Sequence, residues 1–395
     1  METFFTRFNP HEEHWALGLM SGTSCDGLDI ALIKIWEDQG MTRFDFIQGK
    51  SYNYGKTQKE LLKQAPHWQA SQLSQLNFYL PEIWAEMIDD FLRQVGKTKE
   101  EICFIGSHGQ TIWHQSEPRE FIDRKLHSTL QLGDPMVLAK LIGIPVIGDF
   151  RVGDMALGGQ GAPLIPYFDW VFFSKFKKNI LAINIGGIAN FTFVPGDGDF
   201  SKVQAFDTGP GNMLLDTAVK DLFDKPFDEN GQIAQSGQLS EPLFKFLLTI
   251  DRFPEQQPPK STGRELYGSA FYQQIKEFAI RQKINPYDTI HTLAFYTALT
   301  IYNNYAFFIQ EQLGKAEKVV VSGGGVRNLF LMEQLRFQFG NIPLVTSDEV
   351  GVNSEFKEAI GFAVLGWATL LGKPSNVPQA TGARRPTLLG KICLP

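Results

Sequence analysis

The same local pattern occurs once in each half of the chain: an apolar strand, a glycine-containing turn and a second apolar strand. The first copy covers residues 15–35 with the tip SGTSCDG at 21–27, and the second covers residues 179–194 with Gly186 and Gly187 in its turn. Glycines let backbone N–H groups converge on one point, which is typical of a phosphate site, although an ordinary hairpin uses them too. The repetition favours a duplicated architecture with one ligand between the halves.

The length of 395 residues exceeds one ordinary core and predicts two domains, which we place at residues 1–172 and 173–395. Short buried strands alternate with helical periodicities in both halves, so the predicted class is α/β. An aromatic-rich segment at 166–173 is predicted as a helix that crosses between the domains. The tail from residue 380 is assigned to the second domain, and whether it packs back onto the first is left open.

Charge and cysteine content exclude several classes of protein. The net charge is −6 and no basic run is present, so nucleic acid is not an expected partner. Three cysteines without metal-ligand spacing favour a reducing compartment over disulfides or a zinc site. The first fifteen residues lack the apolar core of a signal peptide, and no segment reaches the roughly 18 apolar residues of a membrane span. We therefore expect a cytoplasmic protein that does not associate with membranes.

Polar residues follow two short buried strands of the first half. The strand predicted at 101–105 leads into GSHGQTIWH, so His108 lies where open α/β sheets bind ligands, unless it only stabilises a loop. His114 either stacks on a sugar ring or caps a loop. Asp149 follows the strand predicted at 144–148, where it is either a general base or the ion-pair partner of Arg151.

Three further segments offer candidate ligand contacts. The loop GGQGAP at 158–163 lets the backbone approach a ligand, or serves as a lid or linker. Asp207 precedes glycines and a predicted helix, which suits a phosphate or Mg²⁺ site, with an N-cap as the alternative. The triple glycine at 323–325 lies between a predicted strand and a helix, and such a loop admits a flat ligand or a phosphate. A helix predicted at 355–371 carries Glu358 in its first turns.

The order of the three glycine turns resembles the sugar kinase, Hsp70 and actin ATPase superfamily, in which two phosphate hairpins and an adenosine loop close around Mg-ATP. Longer motifs resemble the 1,6-anhydro-N-acetylmuramic acid kinase family: GLMSGTSCDGLDIAL, GSHGQTIWH, QLGDP, GDFR to GGQGAPL, NIGGIAN, FDTGPGN, PPKSTGRE and SGGGVRN. The resemblance implies a two-domain actin-like ATPase fold of ribonuclease H-like topology with an interdomain active-site cleft. It also implies a homodimer.

The resemblance further implies ATP-dependent conversion of 1,6-anhydro-N-acetylmuramate to N-acetylmuramate 6-phosphate, with cleavage of the anhydro bridge, in cell-wall recycling. Asp149 matches the catalytic base. The implied nucleotide-binding residues are Gly22, Thr23, Ser24, Cys25, Asp26, Gly27, Leu28, Asp29, Gly186, Gly187, Gly323, Gly324, Gly325 and Asn328. The implied sugar-binding residues are His108, Gln110, Arg151, Gln160 and Glu358.

The chain departs from the wider superfamily at two positions that often carry aspartate there, Met20 and Asn184. The expected ligands of Mg²⁺ are therefore Asp26 and Asp207. Two other functions remain open at this point: a kinase for another sugar or a carboxylate, and a nucleotide-dependent chaperone or filament protein.

Overall fold

The computed structural model describes residues 8–22 and 25–395, so the predicted nucleotide contacts Thr23 and Ser24 lie outside the described residues. The chain divides into two compact units. Unit 1 comprises Met1–Phe172 and Glu355–Pro395, and unit 2 comprises Phe173–Ser354. Within the described ranges, no helix is long and apolar enough to cross a membrane.

The strands are, in chain order, β1 (His14–Ser21), β2 (Gly27–Asp38), β3 (Met41–Asn53), β4 (Ile102–Phe121), β5 (Arg124–Leu132), β6 (Val146–Gly148), β7 (Ile180–Ile185), β8 (Ile188–Val194), β9 (Gln204–Pro210), β10 (Lys318–Ser322), β11 (Leu344–Thr346) and β12 (Lys391–Cys393). Seven of them form the sheet of unit 1 and five form the sheet of unit 2.

The α-helices are α1 (Lys56–Gln64), α2 (Ala70–Gln94), α3 (Pro135–Ile142), α4 (Val152–Ala156), α5 (Ile165–Phe173), α6 (Asn212–Phe223), α7 (Gln232–Gln235), α8 (Glu241–Ile250), α9 (Arg264–Tyr267), α10 (Ser269–Arg281), α11 (Pro286–Tyr305), α12 (Glu311–Leu313), α13 (Leu329–Phe339), α14 (Lys357–Leu370) and α15 (Pro378–Thr381). The single helix predicted from residue 57 to 96 is two helices, because Pro66 lies in a 3₁₀ turn between them. A π-helical segment, Ala306–Gln310, follows α11 within the stretch predicted as one helix.

Both sheets repeat one strand order. In unit 1 the order is β3-β2-β1-β4-β6, with β12 beyond β6 and β5 paired to β4. In unit 2 the order is β9-β8-β7-β10-β11. In each sheet the first three strands are antiparallel and the next two run parallel. This repeated order is the ribonuclease H-like topology, so the predicted α/β actin-like class is confirmed.

The end of the chain belongs to unit 1, whereas the sequence analysis assigned residues 355–395 to the second domain. Helix α14 is buried over almost its whole length and packs against β1, β2 and β4. Two glycines permit this contact: a Cβ on Gly18 would lie 1.8 Å from the carbonyl oxygen of Ala359, and one on Gly106 would lie 2.1 Å from that of Phe362. The assignment failed because an apolar helix does not reveal which sheet it covers.

Candidate functional site

A network of buried hydrogen bonds fixes the tip of the first hairpin in unit 1. Ser21 Oγ donates to Gln110 Oε1 at 2.6 Å, and Gln110 Nε2 donates to the carbonyl of Gly22 at 3.0 Å. Tyr54 bonds Ser21 at 3.0 Å and accepts from Trp84 Nε1 at 2.8 Å. Gln110 was predicted to bind the sugar, but it is fully buried and its amide is engaged by the hairpin itself.

The other predicted nucleotide-binding residues of this hairpin divide between the core and a cavity. Leu28 is buried in the core, and Cys25 is buried with a left-handed φ of 57° and donates its N–H to Gly22 at 3.1 Å. A cavity of ≈ 280 Å³ lies beside the tip and is lined by Met20, Gly22, Asp26, Gly27, Asp29, Ser51, Tyr52, Asn53 and Glu358. The structure thus brings four of the predicted nucleotide-binding residues together with the helix carboxylate that was predicted to lie near the sugar.

Two carboxylates of the cavity have raised pKa values. Burial raises the pKa of Asp29, and a 2.5 Å hydrogen bond from Ser51 opposes the shift. Desolvation raises the pKa of Glu358 although its side chain borders the cavity, and the charges of Arg151 and Lys357 oppose this shift. The cavity is therefore acidic but partly desolvated, which suits hydroxyl donors of a sugar.

Arg151 is held in one orientation by neutral acceptors. Its Nε and Nη2 lie 3.2 and 2.9 Å from His108 Nε2, and its Nη1 donates to the carbonyl of Gly161 at 2.7 Å. Because His108 Nε2 accepts, its Nδ1 carries the proton and donates to the carbonyl of Gly109 at 2.9 Å. The guanidinium keeps further N–H groups for a ligand.

His108 is a neutral imidazole at neutral pH and cannot act as a general acid. Burial and the charge of Arg151 lower its pKa to about 3, so the imidazole stays neutral. Burial also lowers the pKa of Arg151 to about 10, and Glu358 opposes that shift. The sequence analysis placed His108 in a polar loop, whereas it lies within β4, which continues to Phe121. That interpretation was wrong because β4 continues past Ile105 through its pairing with β1 and β6, which the local sequence does not reveal.

Asp149 directly follows β6 and adopts a left-handed φ of 61°. Its Oδ2 forms an ion pair with Lys391 Nζ in β12. The alternative partner considered from the sequence, Arg151, is engaged by His108 and Gly161 instead. Lys391 was missed because the tail gave no sign of where its last strand pairs.

The glycine loop after α4 is anchored by a buried carboxylate. Asp154 accepts hydrogen bonds from the N–H of Gly161 at 2.8 Å, from Thr381 Oγ1 at 2.7 Å and from Asn376 Nδ2 at 2.8 Å. Gln160 Nε2, in the same loop, donates to a glutamate of β4 at 3.1 Å, and its buried Oε1 has no hydrogen-bond partner in the described residues. The loop is therefore held in place by hydrogen bonds beside Arg151 and is not a free linker.

In unit 2 the second hairpin borders a cavity of ≈ 690 Å³. Its lining comprises Gly186, Gly187, Asn212, Met213, Asp216, Thr217, Arg264, Gly268, Ser269 and Gly324. The start of α6 is tied to the hairpin, since the N–H of Asn212 donates to Gly186 at 2.8 Å and its Nδ2 donates to Ile185 at 3.1 Å. Three of the predicted nucleotide-binding glycines therefore share one cavity with two charged residues that the sequence analysis did not select.

The other residues of the triple-glycine segment shape the backbone. Gly323 has φ 83° and ψ 176°, a conformation that is essentially confined to glycine. A Cβ on Gly325 would lie 2.5 Å from Ile185. Asn328 is buried and caps α13, because its side chain accepts from the N–H of Leu331 at 3.0 Å.

Asp207 lies inside β9, and the N-cap interpretation is wrong because Gly211 precedes α6. Its Oδ2 accepts from Ser261 Oγ at 3.1 Å and from the N–H of Thr262 at 2.8 Å. Burial raises its pKa to about 6. Asp207 thus anchors the PPKSTGRE segment.

The described residues include no group of three or more His, Cys, Asp or Glu side chains that could hold a metal ion. Asp26 is exposed and lies 3.7 Å from Lys59. A single carboxylate of this kind could hold Mg²⁺ only together with phosphate oxygens and waters, which is the mode in which proteins usually bind that ion.

The family model described as anhydro-N-acetylmuramic acid kinase matches residues 14–395. An anhydro-N-acetylmuramic acid kinase of Caldanaerobacter subterraneus subsp. tengcongensis is 39% identical over 389 residues, covering 97% of this chain and 98% of the relative. Those of Salinibacter ruber and Bacillus cereus are 37% and 38% identical over 385 and 384 residues, covering 96% of this chain and 96% and 98% of the relatives. Among solved structures, component A of (R)-2-hydroxyglutaryl-CoA dehydratase from Acidaminococcus fermentans aligns at a TM-score of 0.47 and 11% identity, covering 91% of this chain and 99% of that one.

Proposed function

Because the chain belongs to the anhydro-N-acetylmuramic acid kinase family, we propose that it transfers the γ-phosphoryl group of ATP to O6 of 1,6-anhydro-N-acetylmuramate and hydrolyses the anhydro bridge. The products are N-acetylmuramate 6-phosphate and ADP, which suits the recycling of cell-wall sugars. The family match over residues 14–395 is the observation that carries this proposal.

Because the sugar offers no hydroxyl proton at O6, the general base acts on a water molecule. In the anhydro sugar O6 is bonded to C1 and carries no proton. Water attacks C1, Asp149 accepts the proton, the C1–O6 bond breaks, and O6 bonds to the γ-phosphorus while ADP leaves. A positioned general base contributes roughly 10²–10⁴-fold to such a step. The position of Asp149 directly after β6 supports this role, because open α/β sheets bind ligands outside the carboxyl ends of their strands.

On the sugar side we assign direct contacts to Arg151 and Glu358. Arg151 offers unused N–H groups in a fixed orientation, and Glu358 offers acceptors in the cavity beside the tip. His108 acts as the neutral support of Arg151, and Gln110 acts as the support of the hairpin. Gln160 keeps one buried acceptor for a sugar hydroxyl. The predicted sugar-binding residues are thereby divided into those that contact the substrate and those that support other residues of the site.

On the nucleotide side we assign the phosphates to the backbone of the two hairpin tips and the nucleoside to the cavity of unit 2. Backbone N–H groups and glycines supply the donors that phosphoryl transfer requires, since positioning and charge neutralisation dominate that reaction. Mg²⁺ would be held by phosphate oxygens with Asp26 or Asp207 as the protein ligand, and would neutralise charge on the phosphates.

The proposal predicts a product that contains both a phosphate and a water. The protein is incubated with ATP, Mg²⁺ and 1,6-anhydro-N-acetylmuramate in ¹⁸O-labelled water, and the product is analysed by mass spectrometry. We expect one added phosphate and one ¹⁸O atom bound at C1. N-acetylmuramate and N-acetylglucosamine serve as alternative substrates. Preferential phosphorylation of either would indicate a different sugar kinase, and sugar-independent ATP turnover stimulated by peptide would indicate a chaperone.

A second prediction concerns Asp216, which lines the cavity of unit 2. Burial, aided by the charge of Asp228, raises its pKa to about 6, so the carboxylate is ionised above that pH and protonated below it. If it accepts hydrogen bonds from the ribose, the KM for ATP rises about threefold to tenfold as the pH falls through 6, because the protonated form loses an acceptor.

Asp216→Asn should raise the KM for ATP at pH 7.5 and remove this pH dependence. Initial rates at saturating sugar measure both effects. Asp224→Asn is the matched control, because Asp224 ends the same helix with an exposed side chain. An unchanged KM in Asp216→Asn would exclude the ribose contact.

A further inference from the structure

We infer that Lys391 is a positioning residue for Asp149: it holds one carboxylate oxygen so that the other faces the attacking water. The inference rests on the proposed role of Asp149 as the general base. The contact that carries it is the ion pair between Lys391 Nζ and Asp149 Oδ2.

The sheet of unit 1 brings the two residues together through its register. Strand β12 pairs antiparallel with β6, and Lys391 lies opposite Gly148, the residue before Asp149. The pairing of β12 with β6 therefore places the ammonium group of Lys391 beside the carboxylate of Asp149. This placement depends on the pairing of strands and not on nearness in the sequence.

Asp149 has few other constraints on its carboxylate. In residues 8–22 and 25–395, no second ion pair and no side-chain hydrogen bond fixes it, and the nearby guanidinium of Arg151 is engaged elsewhere. With Oδ2 bonded to Lys391, Oδ1 is left to accept a proton. Asp149 bonds Lys391 and makes the largest contribution to its raised pKa, and the more distant charges of Cys393 and Asp134 act in the same direction.

Lys391 and Asp149 differ in exposure, and the exposure of the lysine means that its loss should affect the orientation of Asp149 more than the stability of the fold. The side chain of Lys391 is 66% exposed, whereas that of Asp149 is 23% exposed. Ion pairs of this kind contribute little to stability because water already solvates the ammonium group. We therefore expect Lys391 variants to fold normally, so that a loss of activity reports on the base.

The test compares Lys391→Met with Lys391→Arg in the full-length protein, using ATP and 1,6-anhydro-N-acetylmuramate. We expect Lys391→Met to lower kcat about tenfold with both KM values nearly unchanged, because the substrates bind but the base is misoriented. Lys391→Arg keeps a cation at Oδ2 and should restore most of kcat. Lys140→Met is the matched control, since Lys140 is an exposed lysine of α3 in the same unit.

The outcomes separate this inference from the function it rests on. If Asp149→Asn is inactive but Lys391→Met retains wild-type kcat, the inference is overturned and the proposed function stands. If Asp149→Asn itself retains wild-type turnover, the assignment of the base fails and the inference fails with it. A loss in Lys391→Met that appears only as raised KM values would also overturn it.

Discussion

Asp149→Asn is expected to abolish turnover, with kcat lowered roughly 10²–10⁴-fold, because an amide cannot accept the proton of the attacking water. The affinity for ATP should stay close to that of the wild type, since Asp149 lies in unit 1 whereas the proposed nucleoside cavity is built from unit 2. Product formation measured by mass spectrometry and ATP binding measured by calorimetry separate the two effects.

The control for this variant is Asp123→Asn, which removes an exposed carboxylate from the same unit. Its kcat should match that of the wild type. Substantial product from Asp149→Asn would contradict the assignment and direct attention to Glu358, the carboxylate that lines the cavity of unit 1.

Gly323→Ala is expected to destabilise unit 2 by about 2–4 kcal/mol, because φ 83° with ψ 176° excludes a side chain and the new Cβ would overlap its neighbours. That Cβ would lie 2.7 Å from both Asn184 Oδ1 and the carbonyl oxygen of Ile185. The same displacement should weaken ATP binding, since the adjacent Gly324 lines the cavity.

Gly324→Ala provides a matched comparison one residue away. A Cβ there meets nothing closer than Asn212 Nδ2 at 3.6 Å, so the unfolding of unit 2 should be almost unchanged. All 7 tryptophans lie in unit 1, so their fluorescence follows that unit while circular dichroism follows the whole chain. A loss of stability seen in dichroism but not in fluorescence supports the prediction, and equal stability of the two variants would refute it.

The repeated hairpins made the architecture predictable. Their apolar strands and glycine turns were local signals, and their duplication implied two related halves, which the repeated strand order confirms. The predictions that proved wrong concerned features that depend on contacts between residues far apart in the sequence. His108 was assigned to a loop because glycines suggested one, and α14 was assigned to the second domain because its apolar surface does not identify its partner.

The positions of the candidate residues in the fold were predictable where a residue type follows a strand end, as with Asp149, or where the backbone requires glycine, as with Gly323. Supporting residues were not predictable in the same way. Lys391 contacts Asp149 only through the register of β12, and Asp216 faces the cavity only through the rotation of α6. A single sequence specifies neither register nor helix rotation without the packed structure.

The division of the chain has a consequence for biosynthesis. Unit 2 is continuous, so all of its strands have been made before α14 is translated. The sheet of unit 1 lacks β12 and its covering helix until much later, and in the meantime the surface around Gly18 and Gly106 is left without the helix that buries it. Exposed apolar sheet surfaces recruit chaperones and promote aggregation, and domains emerge from the ribosome in order. During synthesis unit 2 can therefore fold completely before the last segment of unit 1, residues 355–395, has been translated.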